Sequence, residues 1–251
     1  KFLALYEALG EKPPQFVTTP PIMGPDGKKK LSKREGAKDI LEYEQEGYLP
    51  EAMLNYLAFL GWNPGGEREV YTREELIKAF DLAKIQKSGA RWDEEKLLWL
   101  NKEHMKLLPH GEVEKNILKN LPKDLQNPNI VQVVFDRISK WGDIKEMVGE
   151  GELDLFFKTP DIDKQKLIFK NTSPERIRDN LRLAMQKLEE LPEVEFSEEN
   201  VKNLLMKAAD SLDSRGEILH PVRYALSGQD KSPDPFTIAS VIGKDETIKR
   251  I

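Results

Sequence analysis

Lys28, Lys29, Lys30, Lys33 and Arg34 put five positive side chains into seven residues of a chain whose formal net charge is -5. Cations gathered this closely in an acidic protein make a local anion site. They follow Gly24-Pro25-Asp26-Gly27, a turn signal with proline at its second position and glycine at its fourth. Ser32 adds a small hydroxyl donor, and Glu35-Gly36 lets the segment change direction. The chemistry that suits such a group is charge neutralisation on a polyphosphate, with lysines as movable point charges on a loop. Taken alone, a K-x-S-K string is also what an ordinary solvated charged turn contains. Other chemistries are excluded by composition. There is no cysteine, so disulfides, thiol catalysis and thiolate metal sites are out, and His104, His110 and His220 are too few and too scattered for a zinc cluster. None of these histidines has a carboxylate or nucleophile at a telling spacing, so each is expected to be structural or exposed.

The elements that must carry the basic loop are mostly helical. Lys1 to Leu9 reads as an apolar-rich helix stopped by Gly10. Residues 16–23, FVTTPPIM, suggest one extended segment, short or at an edge because Pro20 and Pro21 cannot donate ladder bonds. From Ile40 onward the spacing is helical. Pro50 sits at a first helical position, Thr72 and Glu75 form a capping box, and Asp93 opens a helix bearing Leu97, Leu98, Leu100, Met105 and Leu108. Short amphipathic helices follow from Gly111, punctuated by Pro122, Pro128 and Gly142, and Ser173-Pro174 and Ser197 start two more. No run approaches the ~18 apolar residues of a membrane span, and the first residues do not form a signal peptide, so a reducing cytoplasmic setting is expected.

Four strings, GPDGKKKLSKREGA, EYEQEGYLPEAMLNYLAFLGW, KSGARWDEEKLLWLN and HPVRYALSG, occur in that order along essentially the whole chain. Together they resemble the bacterial-type glutamyl-tRNA synthetases, and Lys30-Leu31-Ser32-Lys33-Arg34 is similar to that family's form of the second class I signature, KMSKS. The resemblance implies activation of glutamate by ATP, with Mg2+ accompanying the nucleotide as substrate, and transfer to the 3′ end of tRNA-Glu. In its terms Lys30 and Lys33 are catalytic, holding the ATP phosphates while pyrophosphate leaves. Ser32 fixes the loop, Leu31 and Arg34 complete the ATP-phosphate string, and Arg34 stands where many class I enzymes have serine. The first class I signature, an H-x-G-H-like string, is absent. The chain is therefore expected to be the C-terminal portion of such an enzyme, inactive alone, with ATP and L-glutamate bound together with an N-terminal half.

The implied fold class is mainly α. Residues 1–36 are expected to be the edge of a class I, Rossmann-type catalytic domain carrying the loop, and 37–110 a helical stem-contact domain. Residues 111–158 and 159–251 are expected to be two helical anticodon-binding subdomains. Helical spacing in this tail argues against the β-barrels of the glutaminyl and archaeal-eukaryotic relatives, and its length argues against the short glutamyl-queuosine enzymes. For tRNA contact the candidates are Arg91, Lys96 and Asn101 near the acceptor stem, and Arg137, Lys140 and Trp141 in the second helical block. Arg223 follows His220-Pro221 and could reach RNA from a terminal bundle that His220 locks. Trp92 and Trp99 are expected to be packing residues. A monomer without membrane contact is expected. Two other readings stay open at this point: a stand-alone tRNA-binding module without catalysis, and a helical interaction scaffold that does not bind RNA.

Overall fold

Short polar signals start the helices that surround the basic loop. The computed structural model describes residues 1–32, 34 and 37–251, and the chain divides into two units, Lys1–Leu108 and Pro109–Ile251. In the first unit, α1 (Phe2–Leu9) ends at Gly10 in the left-handed conformation. α2 (Ile40–Gln45) begins with a capping box between Asp39 and Glu42, and α3 (Pro50–Gly61) begins on its proline. α4 (Arg73–Ala79) has the expected Thr72–Glu75 box, and the Asp93 carboxylate accepts the Lys96 N–H at 3.0 Å to open α5 (Glu94–Lys106). Each such cap satisfies backbone donors that a helix start otherwise leaves bare.

The expected extended segment at 16–23 forms no strand ladder among the described residues. Only Met23 is bridged, antiparallel to Lys30 and parallel to Arg91. Pro20 and Pro21 lack the N–H groups that a ladder would need.

The core of this unit lies between α3 and α5 and is rich in aromatic rings. Tyr43, Tyr48, Met53, Tyr56, Leu60, Trp92, Leu97 and Leu100 form one buried cluster. The Trp92 ring centroid is 5.6 Å from that of Tyr43 and 5.0 Å from that of Tyr56, the latter pair edge to face. The Tyr56 hydroxyl donates to the Asp93 carbonyl at 2.8 Å and accepts the Asp93 N–H at 2.7 Å. One side chain of α3 thus pins the start of α5.

A polar group is built into the same helix pair. Asn55 Oδ1 accepts the Tyr71 N–H at 2.8 Å, which identifies that atom as the oxygen, and it lies 3.0 Å from His104 Nε2. His104 must therefore carry its proton on Nε2 and donate. Burial pushes the His104 pKa below its ordinary value, with Glu51 pulling weakly in the other direction. A histidine depressed in the folded state supports the fold above its unfolded pKa of about 6.5, and that support is lost as pH falls through the folded value. Urea unfolding of the first unit is thus expected to shift to lower denaturant as pH drops below about 6.5. His104→Gln should be less stable at neutral pH and should lose this part of the pH dependence. A His104→Gln profile parallel to the wild-type one would remove His104 as its source.

The second unit contains α6 (His110–Asn120), α7 (Val131–Arg137), α8 (Asp143–Gly149) and α9 (Asp154–Phe157). It continues through α10 (Pro174–Glu189), α11 (Glu198–Ala209), α12 (Gly216–Ser227), α13 (Pro235–Ile242) and α14 (Lys244–Arg250). α10, α11, α12 and α13 pack on one another, and α9 touches α12 and α13. Ile177, Ala184, Leu188, Val201, Leu205, Ile218, Val222 and Ile238 are buried there.

Pro221 sits inside α12 and has no N–H for the Glu217 carbonyl four residues earlier. Buried Asn180 of α10 supplies the missing donor, its amide reaching the Glu217 carbonyl at 2.9 Å. Arg250 closes the unit, donating to the Leu155 and Leu226 carbonyls at 2.7 and 3.0 Å. No described helix is long and apolar enough to cross a membrane.

Candidate functional site

Residues 22–31 make a tight turn whose geometry follows from Pro25, Asp26 and Gly27. The Gly27 N–H bonds the Gly24 carbonyl at 2.9 Å, and Gly27 takes φ +67°, a conformation that disfavours any side chain. Asp26 Oδ1 accepts the Lys28 N–H at 2.9 Å and the Lys29 N–H at 3.4 Å. Those backbone donors hold the Asp26 carboxyl below the usual carboxylate range. The Gly24 N–H bonds Lys29 O and the Leu31 N–H bonds Ile22 O, both at 2.8 Å. Met23 is in turn sewn to the segment before α5, by Met23 N–H to Ala90 O and Trp92 N–H to Met23 O, both 2.8 Å. Ile22 and Leu31 face inward against the aromatic core, while Lys28, Lys29, Lys30 and Arg34 are exposed. The cations are presented on a turn whose apolar neighbours fix it in place, so Leu31 acts as an anchor.

Ser32 is half-buried and its carbonyl accepts the Ala37 N–H at 3.2 Å. Lys33 lies outside the described residues, as do Glu35 and Gly36. The chain is caught again at Lys38, a residue that sequence reasoning passed over. Its ammonium is 2.7 Å from Glu46 and 3.0 Å from Glu94, and 5.2 Å from the centroid of the Tyr43 ring. Hydrogen bonds to Glu46 and then Glu94 push its pKa well above the ordinary lysine value. Both ends of the basic segment are thereby fastened to one place, the start of α5: Met23 through Ala90 and Trp92, Lys38 through Glu94.

Lys38 and Glu94 are partly exposed, so solvent limits what the pair contributes. A double-mutant cycle of Lys38→Met with Glu94→Gln is expected to give a coupling of about 0.5–1 kcal/mol in urea unfolding. A coupling indistinguishable from zero would show that the contact does not fasten the segment.

The other residues singled out by sequence fall in different places. Arg91 is exposed beside the basic turn, so close that a Cβ at Gly27 would touch its Cδ at 3.6 Å. Lys96 pairs with Glu69, and its ammonium lies 4.3 Å from the centroid of the Trp99 ring. Asn101 departs from expectation. It is 0% exposed, and its side-chain oxygen accepts the Leu49 N–H at 2.8 Å, so it holds the start of α3 against α5 and has no surface to offer a nucleic acid. Trp99 departs in the opposite direction, being 42% exposed under Lys96, whereas Trp92 packs as expected.

Arg137 is exposed 3.4 Å from Glu152, and Lys140 is 4.0 Å from Asp143. Trp141 next to them is half-buried. Arg223 reaches Ser232 Oγ at 3.0 Å and the Gln229 carbonyl at 3.4 Å, which ties down the loop after α12. His220 Nε2 is 2.9 Å from the Lys166 carbonyl, a structural contact as expected. Among the described residues no group of acids and histidines is arranged to hold a metal ion.

Comparison with known proteins accounts for both units. Residues 1–99 match the catalytic domain of class I tRNA synthetases (E and Q), and residues 95–251 match the anticodon binding domain family. The chain is 37% identical to glutamate–tRNA ligase of Clostridium acetobutylicum over 260 aligned residues, covering 100% of this chain and 52% of the relative. It is 38% identical to the Clostridium botulinum ligase over 259 residues, with the same coverage. The crystal structure of a glutamate tRNA ligase from Elizabethkingia meningosepticum in complex with its amino acid superposes with a TM-score of 0.76. Sequence identity there is 30%, over 99% of this chain and 52% of that one. The chain spans about half the length of the relatives it matches. With a class I catalytic match running into an anticodon-binding match over a mainly helical frame, the chain belongs to the glutamate–tRNA ligase family.

Proposed function

We propose that this chain is the C-terminal portion of a cytoplasmic, monomeric glutamate–tRNA ligase, supplying the ATP-phosphate loop and most of the tRNA-recognition surface. The full enzyme activates L-glutamate with ATP–Mg2+ to glutamyl-adenylate and transfers it to the 3′ end of tRNA-Glu. Residues 1–36 act as the edge of the catalytic domain, 37–110 as the stem-contact domain, and 111–158 and 159–251 as anticodon-binding subdomains. The observation that carries this is the basic turn itself: exposed Lys28, Lys29 and Lys30 on a hairpin locked to the start of α5, inside a chain of this family.

In the reaction, negative charge builds on the pyrophosphate as it leaves the α-phosphorus of ATP. Lys30 and Lys33 neutralise that charge, and Ser32 and Arg34 shape the loop that delivers them. Because the charge is larger in the transition state than in bound ATP, these cations raise the rate as well as the affinity. Arg91, beside the same turn, is placed to add a cation where RNA or nucleotide phosphate approaches. The chain lacks a first class I signature and is inactive without the rest of the site.

Titration with tRNA-Glu tests the recognition half of this function. Saturable binding is expected, with log K falling steeply and linearly as log salt rises, by about 0.7–0.9 per phosphate neutralised. Binding that is absent or insensitive to salt would leave a helical scaffold without an RNA role.

A further inference from the structure

The second unit carries a groove that neither sequence motifs nor the family resemblance singles out. It is bounded by the short 3-10 turn Lys164–Leu167 and the first half of α10, and its volume is about 450 Å³, within the ~300–1,000 Å³ usual for ligand sites. Leu167, Ile168 and Leu181 provide an apolar floor, and Lys164, Gln165 and Arg178 are exposed around it. Charge marks the same segment: residues 164–182 hold six Lys and Arg against Glu175 and Asp179, in a chain that is acidic overall.

The wall of the groove is fixed from behind. Asp163 Oδ1 accepts the Gln165 N–H at 2.9 Å, His220 Nε2 meets the Lys166 carbonyl at 2.9 Å, and Lys166 pairs with Asp230 at 2.7 Å. Gly228 lets the chain before the turn come close, since a Cβ there would lie 2.9 Å from Asp161 O. Arg137 and Lys140 have acids beside them, whereas Lys164 and Arg178 have no acid within ion-pair distance among the described residues.

We propose, resting on the tRNA-binding role assigned to this unit, that the groove seats one unstacked nucleotide of single-stranded RNA. Its base lies on the Leu167–Ile168–Leu181 floor. Lys164 and Arg178 take the flanking phosphates, and the Gln165 amide, with both a donor and an acceptor, reads the edge of the base. Charge complementarity selects this occupant: a polyanion with a flat apolar face matches a cationic rim over an apolar floor, and a prefixed wall lowers the ordering cost of binding.

The test is binding of an RNA hairpin bearing the anticodon loop of tRNA-Glu to the chain, at several salt concentrations. Lys164→Ala combined with Arg178→Ala is expected to weaken binding about 10- to 100-fold and to flatten the log K against log salt slope by about 1.4, two phosphate contacts on a single strand. Gln165→Ala should relax the preference for one base at one loop position and leave the slope unchanged. Lys202→Ala with Lys207→Ala, exposed on α11, serves as a control with less than a twofold effect.

Wild-type affinity and slope in the Lys164/Arg178 variant, or a loss no larger than in the control, overturn the groove assignment alone. Wild-type RNA affinity joined to lost binding of polyglutamate would assign the groove to an acidic protein segment and overturn it too. Absence of RNA binding by the unaltered chain overturns the tRNA-binding role and the groove with it.

Discussion

Lys33→Ala, in a polypeptide that joins this chain to the other half of a glutamate–tRNA ligase, is expected to cut ATP–pyrophosphate exchange by about two orders of magnitude or more. That is the scale seen when one donor aimed at developing charge is removed. The loss should fall mainly on kcat, because pyrophosphate gains charge only as the bond to the α-phosphorus breaks. Lys30→Ala should act in the same direction. Its ammonium stands on a turn held by Met23 and by the carboxylate of Asp26, so the turn itself should survive the substitution. Stopped-flow or isotope-exchange measurement of kcat and of KM for ATP separates the outcomes. Exchange unaffected by Lys33→Ala would exclude the loop from catalysis and leave it an RNA-phosphate contact. The unaltered chain alone should show no exchange.

The second large effect is on the fold. Trp92→Ala is expected to destabilise the first unit by about 3–5 kcal/mol, the usual cost of removing a buried large aromatic. For a unit of this size that lowers its melting temperature by roughly 10 °C or more. Trp92 sits edge to face with Tyr56 and tilted against Tyr43, so its loss opens a cavity between α2, α3 and α5. Its backbone N–H, which alanine keeps, bonds the Met23 carbonyl, so losing the ring loosens the platform to which Met23 and the basic turn are tied. Hydrogen exchange should therefore accelerate at the Met23, Gly24 and Leu31 amides together with the core. Faster exchange confined to the core would mean that the turn is independent of its aromatic support.

Helix starts were legible because their signals are local. Thr72 with Glu75, Asp93, Ser173 and Ser197 each accept the backbone N–H three residues ahead, Pro50 acts through its fixed φ and missing donor, and each opens a helix where expected. Residue roles on α5 were harder. Leu97, Leu100, Asn101, His104 and Met105 recur at helical spacing and all face the core, yet polarity suggested that Asn101 was a surface residue and size suggested that Trp99 was buried. The helix face decides, because a buried asparagine with a backbone donor to satisfy is stable, and a tryptophan off that face stays 42% exposed with the Lys96 ammonium over its ring.

The basic string and its family were readable from residue type and order. Its fastening was not, because Lys38 finds Glu94 across 56 residues of chain. The groove beside α10 was also hidden, since Lys164 and Arg178 meet only after the turn at 164–167 folds back on the helix.

The partner segment of the basic turn has a consequence for synthesis. Met23 and Lys30 leave the ribosome about 60 residues before Arg91 and Trp92, to which the turn is sewn. At ~5–20 residues per second that is an interval of roughly 3–12 s. During it five cations and an apolar stretch, Ile22 with Leu31, have no platform to fold onto. Ile22 and Leu31 of the nascent turn thus stay open to chaperones until Trp92 and Glu94 are translated, whereas its lysines face solvent before and after.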